Sequence, residues 1–219
     1  GLGGPQGFVL AHHPQHDSSE AILPDGSKTS FMFADVRHKL HACCHGAHAM
    51  IEGLRNLVAA HDITAQHLAG LCIRANPRWL KVCDIKAPRT GLEVKFSYVF
   101  LAAMVLHHID TAAYQSYDDS ICGDAGLIAT ASKITVIGDE AISDGAVNVS
   151  ADTQTGVHHK TNFDLMDPID LSVLGPRLVA KASVLIGAAR AEKIWESMND
   201  LDSMPAAQLA RYLQPLQNV

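Results

Sequence analysis

The chain has 219 residues, 47% apolar and 18% charged, enough to bury the core of one large domain or two small ones. A net charge of −6, with no basic run and no interleaving of basic and aromatic residues, argues against a nucleic-acid partner. No stretch of about 18 uninterrupted apolar residues exists, so a membrane span is not expected either. The opening GLGGPQGFVLAHHPQHD has neither a basic segment nor an apolar run long enough for a signal peptide. It has no initiator methionine, and we expect a processed piece or fragment of a longer protein.

Residues 1–30 are rich in Gly, Pro, His and Ser and read as a connector, with a turn at PDGS (24–27). The apolar residues around Phe31 to Val36 suit a short strand. Ala47, Met50, Ile51, Leu54, Leu57 and Val58 recur at helical spacing, which predicts a helix over 45–60. HLAGLCIRANP (67–77) reads as a strand closed by Asn-Pro, and KVCDIKAPRTG (81–91) as a loop. EVKFSYVFLAAMVLHH (93–108) is almost entirely apolar after its first turn and predicts one buried helix. YQSYDD (114–119) is a polar connection, and DAGLIATASK (124–133) a short helix. ITVIGDEAI (134–142) and GAVNVSADTQ (145–154) predict a β-hairpin about the SDG turn, while His158 and His159 fall in a loop. From Asp167 onward three helices are expected, the last two punctuated by Asp200 and Ser203. This mixed order, with a hairpin, favours an α+β fold.

The stretch HKLHACCHGAH (38–48) holds the densest chemistry. As a metal site it offers His38, His41, Cys43, Cys44, His45 and His48, with His45 and His48 able to share a helix face. A zinc centre needs a second paired half. Cys72 and Cys83 are isolated, so no metal is assigned. A cysteine ahead of a helix is a candidate nucleophile, but no base or oxyanion site accompanies it, and a free cysteine is most often a small buried hydrophobe. The remaining cysteine is Cys122; an odd count with two adjacent residues does not suggest a disulfide framework, and the expected compartment is reducing and cytoplasmic. A helix start beside Lys39 and several histidines suits an anion, with imidazoles able to move protons near neutral pH.

Lys39-Leu40-His41-Ala42-Cys43-Cys44-His45-Gly46-Ala47-His48, followed by AMIEGL, resembles a motif of the MmgE/PrpD family. PRTGLEVKFSYVFLAAMVL (88–106) is similar to the same family's E-x-K-F-S helix. TNFDLMDPIDLSVLGPRLVAKASVLIG (161–187) is similar to its late segment, where a lysine-bearing helix follows a proline-containing loop. The three occur in the family's order and span roughly residues 30–215. The family includes 2-methylcitrate dehydratase, cis-aconitate decarboxylase and iminodisuccinate epimerase, which act on small di- or tricarboxylates by acid-base chemistry without a redox cofactor. The resemblance implies a C-terminal half: a connector (1–30), a small α+β lid-type domain (31–160), and C-terminal helices (161–219) that return to an all-helical domain absent from this chain. It further implies a homodimer, a small polycarboxylate substrate and no cofactor.

Carried over residue by residue, Lys39 is the family lysine, expected to bind a carboxylate or stabilise an enolate-like intermediate. Cys44 falls where relatives place a Cys or His near substrate, and His48 matches the histidine that opens the helix. These three are the catalytic candidates; His45, Ser97 and Tyr98 are candidates for substrate binding. Glu93 and Lys95 are expected to form a buried pair at the helix start. Where some relatives carry a proton-donating tyrosine, this chain has Phe100, with Tyr98 two positions earlier and about 200° round a helix. That departure disfavours a tyrosine-dependent decarboxylase mechanism and slightly favours the epimerase-like branch. The alternatives are a non-catalytic lid or assembly module and, less favoured, a zinc-binding protein.

Overall fold

The computed structural model describes residues 36–214, and its sheet is built around LAGLCIRA. This strand, β1 (Leu68–Ala75), alternates in burial, and Leu71, Ile73 and Ala75 point to the core. Its antiparallel neighbour β3 (Ala146–Thr153) does the same with Val147, Val149 and Ala151, in register Leu71↔Ala151, Ile73↔Val149 and Ala75↔Val147. On the other edge of β1, β2 (Ile134–Gly138) runs parallel, and β4 (His158–Asp164) pairs antiparallel with β3. The order is β2-β1-β3-β4, a mixed sheet.

Helix α1 (His48–His61) lies against β3 and β4. Gly53 allows that approach: a Cβ there would stand 3.2 Å from Phe163 Cβ and 3.4 Å from Val147 Cγ1. Between β1 and β2 the chain makes α2 (Pro77–Cys83), α3 (Gly91–Val94), α4 (Tyr98–Leu106) and α5 (Ala125–Ala131). Every residue of α4 is buried, and it packs on α1, α5 and β2. After β4 come α6 (Leu171–Ile186), α7 (Ala188–Ser197) and α8 (Ala206–Leu213). Asp170 caps α6 by accepting from Ser172 N–H, and Gly187, at φ +84°, separates α6 from α7. Gly175 of α6 lies beneath the Trp195 ring of α7. Leu171, Val173, Leu185, Trp195 and Leu201 leave apolar surface exposed on this helical segment. Among the described residues no helix is long and apolar enough to cross a membrane.

The α+β class, the helix beginning near His45, β1, α5 and the three late helices are as the sequence predicts. Four features differ. First, β2 and β3 do not form a hairpin: they occupy opposite edges of β1, which has apolar residues enough to sit at the centre. Second, the hairpin is β3–β4, and its second strand covers the His158-His159 region expected as loop. The turn is closed by Thr153 N–H to Val157 O at 2.9 Å, with Gly156 at φ +82°. Third, 81–91 is not all loop, because Asn76 accepts from Arg78 N–H and Pro77 takes the first helical position, starting α2. Fourth, the single helix over 93–108 is two. Ser97 is extended, pairs with Asp84 and caps α4 by accepting from Phe100 N–H. The connector, the turn at 24–27 and all of the strand expected at Phe31 to Val36 except Val36 lie outside the described residues; Val36 itself is in no regular element.

Gly91 gives a direct test of this packing. A Cβ there would lie 1.6 Å from the Tyr117 carbonyl oxygen. Gly91→Ala should therefore destabilise the fold by about 1–3 kcal/mol or more, the cost of overpacking. Urea unfolding reads this, and an unchanged midpoint would mean that the contact does not exist.

Candidate active site

The segment Lys39–Ala47 is tied down by backbone hydrogen bonds. Ala42 N–H donates to Thr111 O at 2.9 Å, Cys44 N–H to Lys95 O at 3.0 Å, and Ala47 N–H to Cys44 O at 3.1 Å. A 3₁₀ turn (His45–Ala47) then leads into α1. Gly46 has no room for a side chain, since the Trp79 ring would lie 2.3 Å from its Cβ. Tyr98 OH donates to Gly46 O at 2.8 Å from below. The Lys39 segment is thus clamped between α2 and the start of α4.

Its outer side borders a cleft of about 330 Å³. Lys39, Lys95 and Lys181 line it with His41, Cys43, Cys44 and Phe96, and among the described residues no carboxylate lines it. Lys181 Nζ donates to Lys39 O. Burial, and then the Lys39 charge, lower the pKa of Lys181. The Lys95 ammonium stands 5.1 Å from the Tyr117 ring centroid. Three cations that meet, among the described residues, no acidic side chain in the cleft form a site for an anion.

Behind the cleft runs a buried polar chain. Thr111 Oγ1 donates to His41 Nδ1 at 2.8 Å, and His41 Nε2 donates to Glu52 Oε1 at 2.7 Å. Arg177 of α6 grips Glu52 with two hydrogen bonds, Nη1 to Oε2 at 2.7 Å and Nη2 to Oε1 at 2.6 Å. Burial lowers the pKa of His41 and outweighs the pull of Glu52. The ring is therefore neutral, and its two partners assign the tautomer. Burial alone would raise the pKa of Glu52, but the hydrogen bonds from His41 and Arg177 hold it at about 2.

His48 is buried, with its ring 5.0 Å from that of His41 and 5.1 Å from that of His45. Burial first, then its charged and imidazole neighbours, lower its pKa to about 3, so it is neutral at physiological pH. Its Nε2 and the Nδ1 of His45 are buried and meet no hydrogen-bond partner among the described residues. Burial, then Lys39, also lower the pKa of His45, and burial pushes the Cys43 thiol up to about 12.

Of the residues singled out in the sequence, Lys39, His41, Cys43 and Cys44 all border the cleft. His45 and His48 lie beside and behind it. Ser97 and Tyr98 do not reach it. Ser97 is fully buried, its hydroxyl donating to Ile85 O and accepting from Phe100 N–H, and Tyr98 is 1% exposed. The expected Glu93–Lys95 pair does not form: Glu93 bonds to Arg89 and follows the Thr90 cap, while Lys95 turns to the cleft. The residues of 38–48 do not converge as ligands, and among the described residues no group of three His, Cys, Asp or Glu side chains is placed to hold a metal ion. Sequence reading missed Lys181, Glu52 and Arg177. The similarity of 161–187 to a lysine-bearing helix was the available signal for Lys181.

The buried histidines and Glu52 make stability pH-dependent. In the unfolded chain His48 takes a proton below about pH 6.5, whereas the folded chain resists until about pH 3. The unfolding free energy should therefore fall as pH drops below 6.5. Glu52 contributes fully above pH 4.5, and its contribution is lost between 4.5 and about 2. Denaturant titrations of His48→Leu should show a flatter slope than wild type from pH 6.5 down to 4.5. An unchanged slope would contradict the neutral, buried state of His48.

The sequence pattern of the MmgE/PrpD C-terminal domain matches residues 41–165, more than half of the chain. A search among curated proteins finds no match. The match takes in the whole sheet, α1 to α5, and the cleft residues Cys44 and Lys95; Lys39 lies just before it and Lys181 beyond it. On that match, and with a fold and motif order that agree with it, this chain belongs to the MmgE/PrpD family.

Proposed function

We propose that this chain supplies the lysine-lined wall of a site for cofactor-independent acid-base chemistry on a small di- or tricarboxylate. The observation that carries the reading is the convergence of Lys39, Lys95 and Lys181 on a cleft that no carboxylate among the described residues lines. Such a cleft favours a polyanion and gains most where negative charge develops, as in the enolate formed when a proton next to a carboxylate is removed. Cys44 is the proton-transfer candidate within this wall, and His45 a contact at its rim. His48, neutral and buried, acts by holding the turn that presents Cys44. Tyr98 acts in the same way, by its bond to Gly46 O, and Ser97 acts through Ile85, anchoring the link whose Lys95 carbonyl receives Cys44 N–H.

The resemblance to this family brings dehydratase, decarboxylase and epimerase chemistry into consideration. With Phe100 buried in α4 and Tyr98 hydrogen-bonded to a backbone carbonyl, neither position presents a proton-donating hydroxyl to the cleft. This supports an epimerase-like reaction, in which a proton is removed and returned, over one that needs a tyrosine acid. The exposed apolar residues of α6 to α8 suit packing against a helical domain and a homodimeric assembly. That exposed surface also favours the second reading, a non-catalytic lid or assembly module.

One assay separates the two readings. The full-length protein is incubated in deuterated water with methylcitrate, citrate, cis-aconitate and iminodisuccinate, and proton exchange is followed by NMR. Exchange with at least one substrate is expected, and Lys39→Ala and Lys181→Ala should each lower kcat/KM by about 100-fold or more while leaving the unfolding midpoint in place. No exchange with any of them would favour the module, and unchanged turnover in both variants would remove the lysines from the mechanism.

A further inference from the structure

A second chamber, of about 230 Å³, adjoins the anion cleft. One side of it is a single stripe of α6, because Arg177, Ala180, Lys181 and Val184 follow the i, i+3, i+4, i+7 spacing of one helix face. Arg55 of α1 and Asp110 line it from the body of the domain. His41 and Lys181 border both spaces. The charges of the chamber do not cancel. Arg177 is taken by Glu52, which it grips with two hydrogen bonds. Lys181 donates to the neutral Lys39 carbonyl, which leaves its charge uncompensated. The Arg55 side chain is exposed and makes no hydrogen bond or ion pair among the described residues. The one carboxylate that lines the chamber among those residues, Asp110, accepts from Ala112 N–H at 2.8 Å within its own loop. Two free cations therefore face one carboxylate. In the wider groove of about 810 Å³ that Arg55 also borders, the balance is reversed: Glu52, Asp62 and Asp110 line it against Arg55 and Arg177. An anion is favoured in the chamber and not in the groove.

We propose that this chamber is a second carboxylate subsite, read by the Arg55 guanidinium and sharing Lys181 with the cleft. A guanidinium presents paired N–H donors that match the two oxygens of a carboxylate. Lys181, common to both spaces, is the cation that links them. The carboxylate belongs either to the molecule whose other carboxylates lie on Lys39 and Lys95, or to a separate small anion. The first source rests on the polycarboxylate reading of the cleft, and the second does not. In both cases Arg55 sets the preference for an added carboxylate, while Lys39 sets the affinity of the cleft itself.

The test is calorimetry on the full-length protein with citrate, succinate and acetate as probes, in wild type, Arg55→Gln and Lys39→Ala. If one molecule spans both spaces, Arg55→Gln weakens citrate binding by about 10-fold or more and changes succinate binding by less than about 2-fold. If the anion is separate, acetate binds to succinate-saturated wild type, and Arg55→Gln abolishes that binding. Citrate and acetate binding both unchanged in Arg55→Gln, or equal losses for citrate and succinate, would overturn the proposal. Lys39→Ala keeps the two readings apart, since it should weaken succinate binding. Succinate binding unchanged in Lys39→Ala, with the Arg55→Gln losses present, leaves the subsite standing and removes the reading of the cleft. A wild type that binds none of the three probes overturns both.

Discussion

The cleft depends on one buried carboxylate. Glu52 sits on α1, 7% exposed, where an ionised group is tolerated only if it is paired. It is paired twice. His41 reaches it from the Lys39 segment, 11 residues earlier in the chain, and Arg177 from α6, 125 residues later. The hydrogen bonds of a carboxylate to charged donors are worth about 1.5–3 kcal/mol each where they are shielded from water, and Arg177, with its side chain 31% exposed, sits at the low end of that range. Each bond also fixes a direction. Arg177 and Lys181 are one helical turn apart on α6, so holding the first against Glu52 brings the second to the Lys39 carbonyl. Three lysines meet because one glutamate orients two of the elements that carry them.

The third lysine arrives by another route. Lys95 lies in the short turn that follows α3 and leads to the extended Ser97, and this link is hydrogen-bonded on both sides. Its Lys95 carbonyl receives Cys44 N–H, while Ser97 pairs with Asp84 and Phe96 O receives Ile85 N–H. Ser97 is the residue that makes the link possible, since its hydroxyl caps α4 and anchors to Ile85 at once. A continuous helix through 93–108 would carry Lys95 round with it and remove the carbonyl that Cys44 uses. The break in that helix is thus what gives the cleft its floor.

These particulars show how far the sequence could be read. Period alone identifies α1 and β1, because one face of each is apolar and the other is not. The motif order points to the family, and the Lys39 and Cys44 positions follow from it. The strand pairing was not legible, because β1, β2 and β3 are similar short apolar runs, and only the tertiary register makes β1 central. β4 was missed for a different reason. HHKTNFD is polar, and it is held as an edge strand by its ladder to β3 and by Phe163 beneath Gly53. The break at Ser97 was hidden because an apolar run conceals a cap. The Glu52 network was invisible because its members lie far apart in the chain, and nothing in the local pattern marks Glu52 as buried.

The central claim is that Arg177, through Glu52, positions Lys181 for the anion. A double-mutant cycle on polycarboxylate affinity tests it directly, with Arg177→Met, Lys181→Met and the double variant in the full-length protein, and binding followed by calorimetry. If Arg177 acts through Lys181, each single change weakens binding and the double variant binds about as weakly as Lys181→Met alone. Losses that simply add, or an Arg177→Met variant with wild-type affinity, would contradict the account.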